Sequence, residues 1–184
     1  MGKLEVICGP MFSGKTSELL KRIRRSQIAK QSVMVFKPKI DNRYAHNKIQ
    51  NHDGDKIPAS IVSNSIEIEI AIQNFNSLHS KNPDVIAIDE VQFFDYEIIE
   101  LIKKIKDKGT RVIVSGLDMD FNGDIFNITS DLMGYADIID KQTAICVVCG
   151  KEATQTYKKN KNNKIIEIGG KEEYEARCYH HWKK

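Results

Sequence analysis

The stretch Leu4-Glu5-Val6-Ile7-Cys8-Gly9-Pro10-Met11-Phe12-Ser13-Gly14-Lys15-Thr16 decides the fold class. It opens with an apolar run suited to a buried strand, satisfies the pattern G-x-x-x-x-G-K-[ST] from Gly9 to Thr16, and runs into a helical segment at residues 16–30. The spacing has a physical cause. Successive backbone N–H groups must point at an anionic phosphate chain without side chains in the way, and the helix N-terminus adds partial positive charge. Gly9 and Gly14 supply the permissive backbone, and Pro10, Met11, Phe12 and Ser13 fill the turn. Lys15 reaches terminal phosphates, and the Thr16 hydroxyl is placed to ligate Mg²⁺.

Outward from this loop, short β-branched runs at 33–36, 57–62, 85–88 and 112–114 read as further strands. Residues 96–108 carry Ile98, Ile99, Leu101, Ile102 and Ile105 at the spacing of one buried helical face, and Gly109 supplies a stop. Continuous apolar strands alternating with helices predict an α/β domain with a mostly parallel sheet covered on both faces. Residues 37–55 break the rhythm with Pro38, Asn42, Asn47, Asn51 and Gly54, and read as a mobile surface loop. From Cys146 the character changes to cysteines, a polar turn and a short run ended by Gly169-Gly170. The expected organisation is therefore a nucleotide-binding domain at 1–145 and a small hairpin lobe at 146–184.

Composition bounds the function. The 184 residues are 41% hydrophobic and 29% charged, which excludes disordered and fibrous classes. A net charge of +3 is too mild for a dedicated nucleic-acid binder, so no nucleic-acid partner is expected, while an acidic small molecule is a natural one. No run approaches the roughly 18 apolar residues of a membrane span, and Met1-Gly2-Lys3-Leu4-Glu5 lacks the layout of a secretory signal. A cytoplasmic location with no membrane partner is expected.

Two further constellations carry chemistry. Val85-Ile86-Ala87-Ile88 ends in Asp89-Glu90, and the carboxyl edge of a parallel sheet is where ligands sit. Asp89 fits the magnesium-side acid of a phosphate-loop site, and Glu90 stands where a carboxylate can take a proton from an attacking hydroxyl or water. That position alone leaves hydrolysis and transfer open, although so short a chain has little room for the coupling machinery of a motor. The second constellation, Cys146-x-x-Cys149 with Cys178-x-x-His181, has the ligand types and spacing of a structural Zn²⁺ site; a redox CxxC is the alternative, and His180 could replace His181 in a shifted register. Lys158, Lys159, Lys161 and Lys164 read as a solvated turn, and Lys21-Arg22-Ile23-Arg24-Arg25 as the wet face of the first helix, with Ile23 turned inward. Cys8 reads as a small buried hydrophobe.

Taken together, the loop Gly9 to Thr16, Asp41-Asn42-Arg43-Tyr44, Ile88-Asp89-Glu90-Val91-Gln92-Phe93-Phe94, Leu117-Asp118-Met119-Asp120-Phe121 and the cysteine knuckles resemble the zinc-containing cytosolic-type thymidine kinases over nearly the whole chain. The likeness departs at Asn122 and Ile125, where members often carry Arg and Pro. It implies a phosphate-loop sheet with a zinc-ribbon-like lobe, and transfer of the ATP γ-phosphate to the 5′-hydroxyl of thymidine. In that transfer Glu90 would be the base, with Lys15, Thr16 and Asp89 handling phosphates and Mg²⁺ and Arg43 near the phosphates. It further implies that Met11, Phe93, Leu117, Phe121, Phe126, Thr156, Ile165, Ile168, Gly169 and Tyr174 surround the nucleoside, that the chain forms a homotetramer, and that thymidine triphosphate (dTTP) is a feedback inhibitor. A phosphate-loop ATPase, another nucleotide-dependent kinase and a zinc-ribbon nucleic-acid module are the competing classes.

Overall fold

Strands that are apolar on both faces need cover on both faces, and this requirement organises the chain. The computed structural model describes residues 2–41, 47–51, 53–159 and 172–183. Strand β1 (Lys3–Gly9) leads into α1 (Lys15–Ile28), followed by β2 (Val33–Pro38), β3 (Lys48–Gln50), β4 (Lys56–Pro58), β5 (Ser60–Val62) and α2 (Ser65–His79). The strand β6 (Val85–Ile88) precedes a single helical turn at Val91–Phe93, then α3 (Ile98–Asp107), β7 (Arg111–Leu117), α4 (Asn127–Tyr135) and β8 (Ile138–Lys141). The remainder is β9 (Ala144–Ile145), β10 (Glu152–Ala153), β11 (Gln155–Lys158), β12 (Tyr174–Arg177) and the short α5 (Tyr179–Trp182).

Six strands form one sheet in the order β5-β2-β6-β7-β1-β8, and every pairing in it is parallel. Alternate residues divide between its faces. Leu4, Val6, Ile86, Ile88, Val112 and Val114 pack under α2, α3 and α4, whereas Ile7, Val85, Ala87 and Ile113 pack under α1 with Leu19, Leu20 and Ile23. Helix α3 shows how burial overrides propensity. Each β-branched Ile costs at most about 0.7 kcal/mol in a helix, but Ile98, Ile99, Ile102 and Ile105 are all buried, at about 1.5–3 kcal/mol apiece. Gly109, at φ 93 just past the helix, takes a conformation that side chains avoid.

Residues 37–55 contain more order than their polarity suggests. β3 and β4 form an antiparallel hairpin that inserts Ile49 and Ile57 into the core beneath α1, while Asn51 closes its turn by accepting from the Asp53 and Asp55 N–H groups. Residues 42–46 and His52 lie outside the described residues. The run at 57–62, read as one strand, divides at Ala59 into β4 and β5, which belong to different sheets. Arg22 also departs from the wet face assigned to it. Its guanidinium binds Glu5 at 2.9 Å, Asp140 at 2.6 Å and Glu18 at 2.9 Å, gathering β1, β8 and α1 around one cation.

Glu5 is 2% exposed in the middle of the sheet. Burial opposes its ionisation, but hydrogen bonds and charge from Arg111 and Lys3 outweigh that and hold its carboxyl below the usual value of 4.5. A depressed folded value means that the stabilisation is present above the unfolded carboxylate range and is lost as pH falls through the folded value. Glu5→Gln is therefore expected to lose about 3–5 kcal/mol near neutral pH, the usual cost of removing one partner of a buried ion pair, and the gap to the parent should narrow steadily below about pH 4.5. Urea melts of both proteins between pH 7 and 3 check this; a gap independent of pH would remove the ionic account.

Candidate active site

Three strands deliver the site. Gly9 at the end of β1 pairs with Leu117 at the end of β7, and Ile88 at the end of β6 pairs with Val114. The residues that follow β1, β6 and β7 therefore emerge side by side at the carboxyl edge, where open α/β sheets bind ligands.

The loop after β1 is held in a shape that its own sequence makes possible. Gly9 sits at φ 140, and a Cβ there would stand 2.3 Å from the Gln142 carbonyl oxygen, a distance no side chain tolerates. Gly14, at φ 86, occupies the cap of α1 and places no side-chain acceptor on the helix N-terminus, whose first N–H groups suit an anion. The Ser13 hydroxyl and the buried Lys15 ammonium donate to the same Pro10 carbonyl, at 2.8 and 2.7 Å. Phe12 has φ 66, a left-handed conformation that costs a residue other than glycine about 1–3 kcal/mol.

What holds Phe12 there is the C-terminal lobe. Its ring packs against the small core of Ala144, Cys146, Ala153 and Ala176, beside Cys178. Next to it, the Met11 N–H donates to the Thr156 hydroxyl on β11 at 3.0 Å. The tip of the loop is thus fastened to the lobe by an apolar plug and a hydrogen bond.

The acids after β6 are both buried. Asp89 accepts from the Ser115 hydroxyl on β7 and from the Glu90 N–H at 3.1 Å, and the Thr16 hydroxyl at the start of α1 lies 3.5 Å from its other oxygen. Glu90 is in the left-handed region, φ 51 and ψ 45, and its carboxylate accepts from the Gln92 amide at 2.6 Å. The hydroxyl of Thr16 and the carboxylate of Asp89 are the hard oxygen donors that Mg²⁺ prefers. Beneath the loop, burial pushes the Cys8 thiol up to about 11, with the Asp118 carboxylate adding to the effect, so it is no nucleophile at neutral pH.

Residues from the loop after β7 line the same region. The Leu117 N–H donates to Gln92; Phe126 meets Phe93 edge to face at 6.3 Å; Phe121 meets Tyr174 of the lobe at 6.3 Å. The Trp182 indole N–H donates to the Phe121 carbonyl at 3.0 Å, tying the end of the lobe to this loop. Lys158, assigned to a solvated turn, is only 7% exposed, with its ammonium 4.8 Å from the Phe121 ring centre. The predicted residues Arg43, Ile165, Ile168 and Gly169 lie outside the described residues.

Sequence reasoning assigned no role to several polar groups at this edge. Gln92 and Ser115 grip the two acids, and the buried pair Lys37–Asp41, 3.4 Å apart, leaves the end of β2 next to β6. Asp118, also buried, pairs with Lys141 at 3.0 Å. A signal existed for each, a polar residue at or just past the end of an apolar strand, but single polar residues at strand ends are common and carry no signature of their own.

In the lobe, the pairs β9–β10 and β11–β12 bring Cys146, Cys149, Cys178 and His181 together, with their donor atoms all within 4.8 Å of one another. The sulfurs of Cys149 and Cys178 are 3.9 Å apart, and His181 Nδ1 is 3.7 Å from Cys146 and 3.2 Å from Cys178. Tetrahedral thiolates about 2.3 Å from zinc stand about 3.8 Å apart, so the cluster can hold that metal. The electrostatics favour a cation as well. Burial opposes ionisation of Cys146, but backbone N–H donors and His181 bring its thiol down to about 5. At Cys149 the Lys151 N–H lowers the thiol, yet burial and the neighbouring sulfurs raise it overall. Anionic sulfurs this close oppose one another until a divalent cation joins them. His180 is exposed and lies outside the cluster.

A phosphate-loop sheet with a buried acid pair at its edge and a Cys₃His lobe fastened over the loop defines a nucleotide-binding protein of the P-loop class. The family model for thymidine kinase matches residues 2–182. The chain belongs to the thymidine kinase family, and it is an enzyme that phosphorylates thymidine. Among the described residues no helix is long and apolar enough to cross a membrane.

The metal cluster makes its own prediction. Elemental analysis is expected to find about one zinc per chain, and Cys178→Ser should lose it and melt at lower temperature, because a lobe with so small an apolar core depends on its metal. A metal-free parent with an unchanged melting temperature would remove zinc from the account.

Proposed function

We propose that the chain transfers the γ-phosphoryl group of ATP to the 5′-hydroxyl of thymidine with Glu90 as general base. The observation that carries this reading is the placement of the Glu90 carboxylate, buried at the sheet edge one residue past Asp89, whose own carboxylate lies 3.5 Å from the Thr16 hydroxyl of the phosphate loop. The phosphate-loop residues Gly9 to Thr16 cradle the phosphates, with Lys15 and Arg43 offsetting their charge. Thr16 and Asp89 would hold Mg²⁺, which when bound neutralises charge on the phosphate oxygens. Glu90 takes the proton of the 5′-hydroxyl as that oxygen bonds to the γ-phosphorus. The bond from phosphorus to the β–γ bridging oxygen breaks, and the electron pair leaves with ADP.

The nucleoside is assigned to Met11, Phe93, Leu117, Phe121, Phe126, Thr156 and Tyr174, together with Ile165, Ile168 and Gly169. Phe93, Phe126, Phe121 and Tyr174 offer the flat apolar surface a pyrimidine needs. Residues 146–184 serve as the lobe that covers the site and excludes water, without which the phosphoryl group passes to water instead of to the alcohol. Family likeness supports a homotetramer, feedback inhibition by thymidine triphosphate, bound zinc and a cytoplasmic location, with no nucleic-acid or membrane partner.

Glu90→Gln is expected to leave ATP binding nearly intact and to lower transfer about 10²- to 10⁴-fold, the usual contribution of a positioned base. ATP consumption should also depend on an added pyrimidine deoxynucleoside, which a panel of nucleosides with ATP and Mg²⁺ measures. Normal turnover in the variant would demote Glu90 to a structural acid, and full ATP turnover without nucleoside would make the chain an ATPase.

A further inference from the structure

Gln92 is buried and its amide is fixed at both ends. The side-chain oxygen accepts from the Leu117 N–H at 3.0 Å, and the nitrogen donates to Glu90 Oε2 at 2.6 Å. The amide has one workable orientation. Flipping it would set its NH₂ against the Leu117 N–H and its carbonyl oxygen against a carboxylate, two repulsive contacts in place of two hydrogen bonds. β7 makes room for this arrangement, since a Cβ on Gly116 would come within 2.7 Å of the Gln92 oxygen and 2.9 Å of Val91. Three features of two neighbouring strand ends, the bare Gly116 and the Leu117 N–H of β7 and the helical turn at Val91–Phe93 after β6, thus combine to aim one N–H at one carboxylate.

We propose that Gln92 is the positioning residue of Glu90, holding its carboxylate in the one orientation from which it can accept the proton of the attacking hydroxyl. The inference rests on the reading of Glu90 as the base. Gln92 itself takes no proton and touches no reacting atom. Among the described residues, the charged groups along this edge include Asp89, which accepts the Glu90 N–H, Lys15 of α1, the Lys37–Asp41 pair at the end of β2, and the Asp118–Lys141 pair between β7 and β8. Gln92 is a neutral donor among them, so removing its N–H alters Glu90 without changing the charge of the site.

The test uses full-length Gln92→Met, which keeps the length of the side chain and removes the donor. We expect kcat to fall about 10- to 10²-fold, a fraction of what loss of the base itself costs, with KM for ATP within about twofold. Thermal melts guard against a folding defect: kcat per folded molecule of Gln92→Met should stay lowered, and a kcat that returns to the parent value once the unfolded fraction is discounted overturns the proposal. An unaltered kcat, or a change that raises both KM values and leaves kcat alone, would make Gln92 merely structural and overturn the proposal. Glu90→Gln separates the two readings: if that variant turns over normally the base assignment itself fails, whereas an inactive Glu90→Gln beside an unaltered Gln92→Met overturns only the role given to Gln92.

Discussion

A loop that offers its N–H groups to an anion cannot also satisfy them internally, and that constraint shapes everything near residues 9–16. The loop has to be held from outside. β1 anchors one end through its pairing with β7 and β8, and α1 anchors the other by burying Leu19, Leu20 and Ile23. Between these anchors the backbone passes through left-handed conformations at Phe12 and Gly14, and Phe12 has no glycine-like freedom to do so. Packing of its ring against the lobe is the compensating term, since even partial burial of a phenylalanine offsets about 1 kcal/mol or more. The lobe is therefore part of the proposed phosphate site, and the cluster that can hold a metal bears on that site through Phe12 and through the Thr156 hydroxyl.

The parts legible in the sequence were those with a strong period or a fixed spacing. The strands at Leu4–Cys8 and Val85–Ile88 announced themselves because burial on both faces leaves no polar residue to interrupt them. Helix α3 was equally plain from its stripe of isoleucines. The cysteine pairs were legible because metal geometry needs those atoms at that interval. Less legible was anything decided by a partner distant in the chain. Nothing in Lys48-Ile49-Gln50 says that Ile49 lies under α1, since a short hairpin borrows its burial from a helix encoded thirty residues earlier. Arg22 looks like any solvent-facing arginine until Glu5 and Asp140 are brought alongside it by the sheet.

The same limit applies within the site. Asp89 and Glu90 stood out as acids ending an apolar strand, but the groups that orient them did not. Ser115 reaches Asp89, and Leu117 fixes Gln92, only because β7 is laid between β1 and β6, a fact of strand order that no local pattern contains. Lys158 was misjudged for a related reason. A lysine in a run of lysines reads as solvated, yet its four-carbon stem can lie along an aromatic face while the ammonium sits over the ring. Phe121 supplies that face from a loop nearly forty residues away.

These contacts give the lobe two attachments of different kinds. One joins it to the phosphate loop through Met11, Phe12 and Thr156; the other joins it to the loop after β7 through Phe121, Tyr174, Lys158 and Trp182. The first holds the loop proposed to cradle the donor phosphates, through Met11 and Thr156 that are also assigned to the nucleoside; the second holds the aromatic surface of the acceptor side, and both run through β11 and β12 or the elements adjoining them. A lobe bound to only one side could close over one substrate without the other. Fastened to both, it couples the position of the phosphate loop to the aromatic surface assigned to the nucleoside. Of the residues Pro10-Met11-Phe12 that distinguish this loop from other phosphate loops, Met11 and Phe12 make the first attachment. The identity of Phe12 follows from its packing on the lobe, whereas Met11 contributes its backbone N–H.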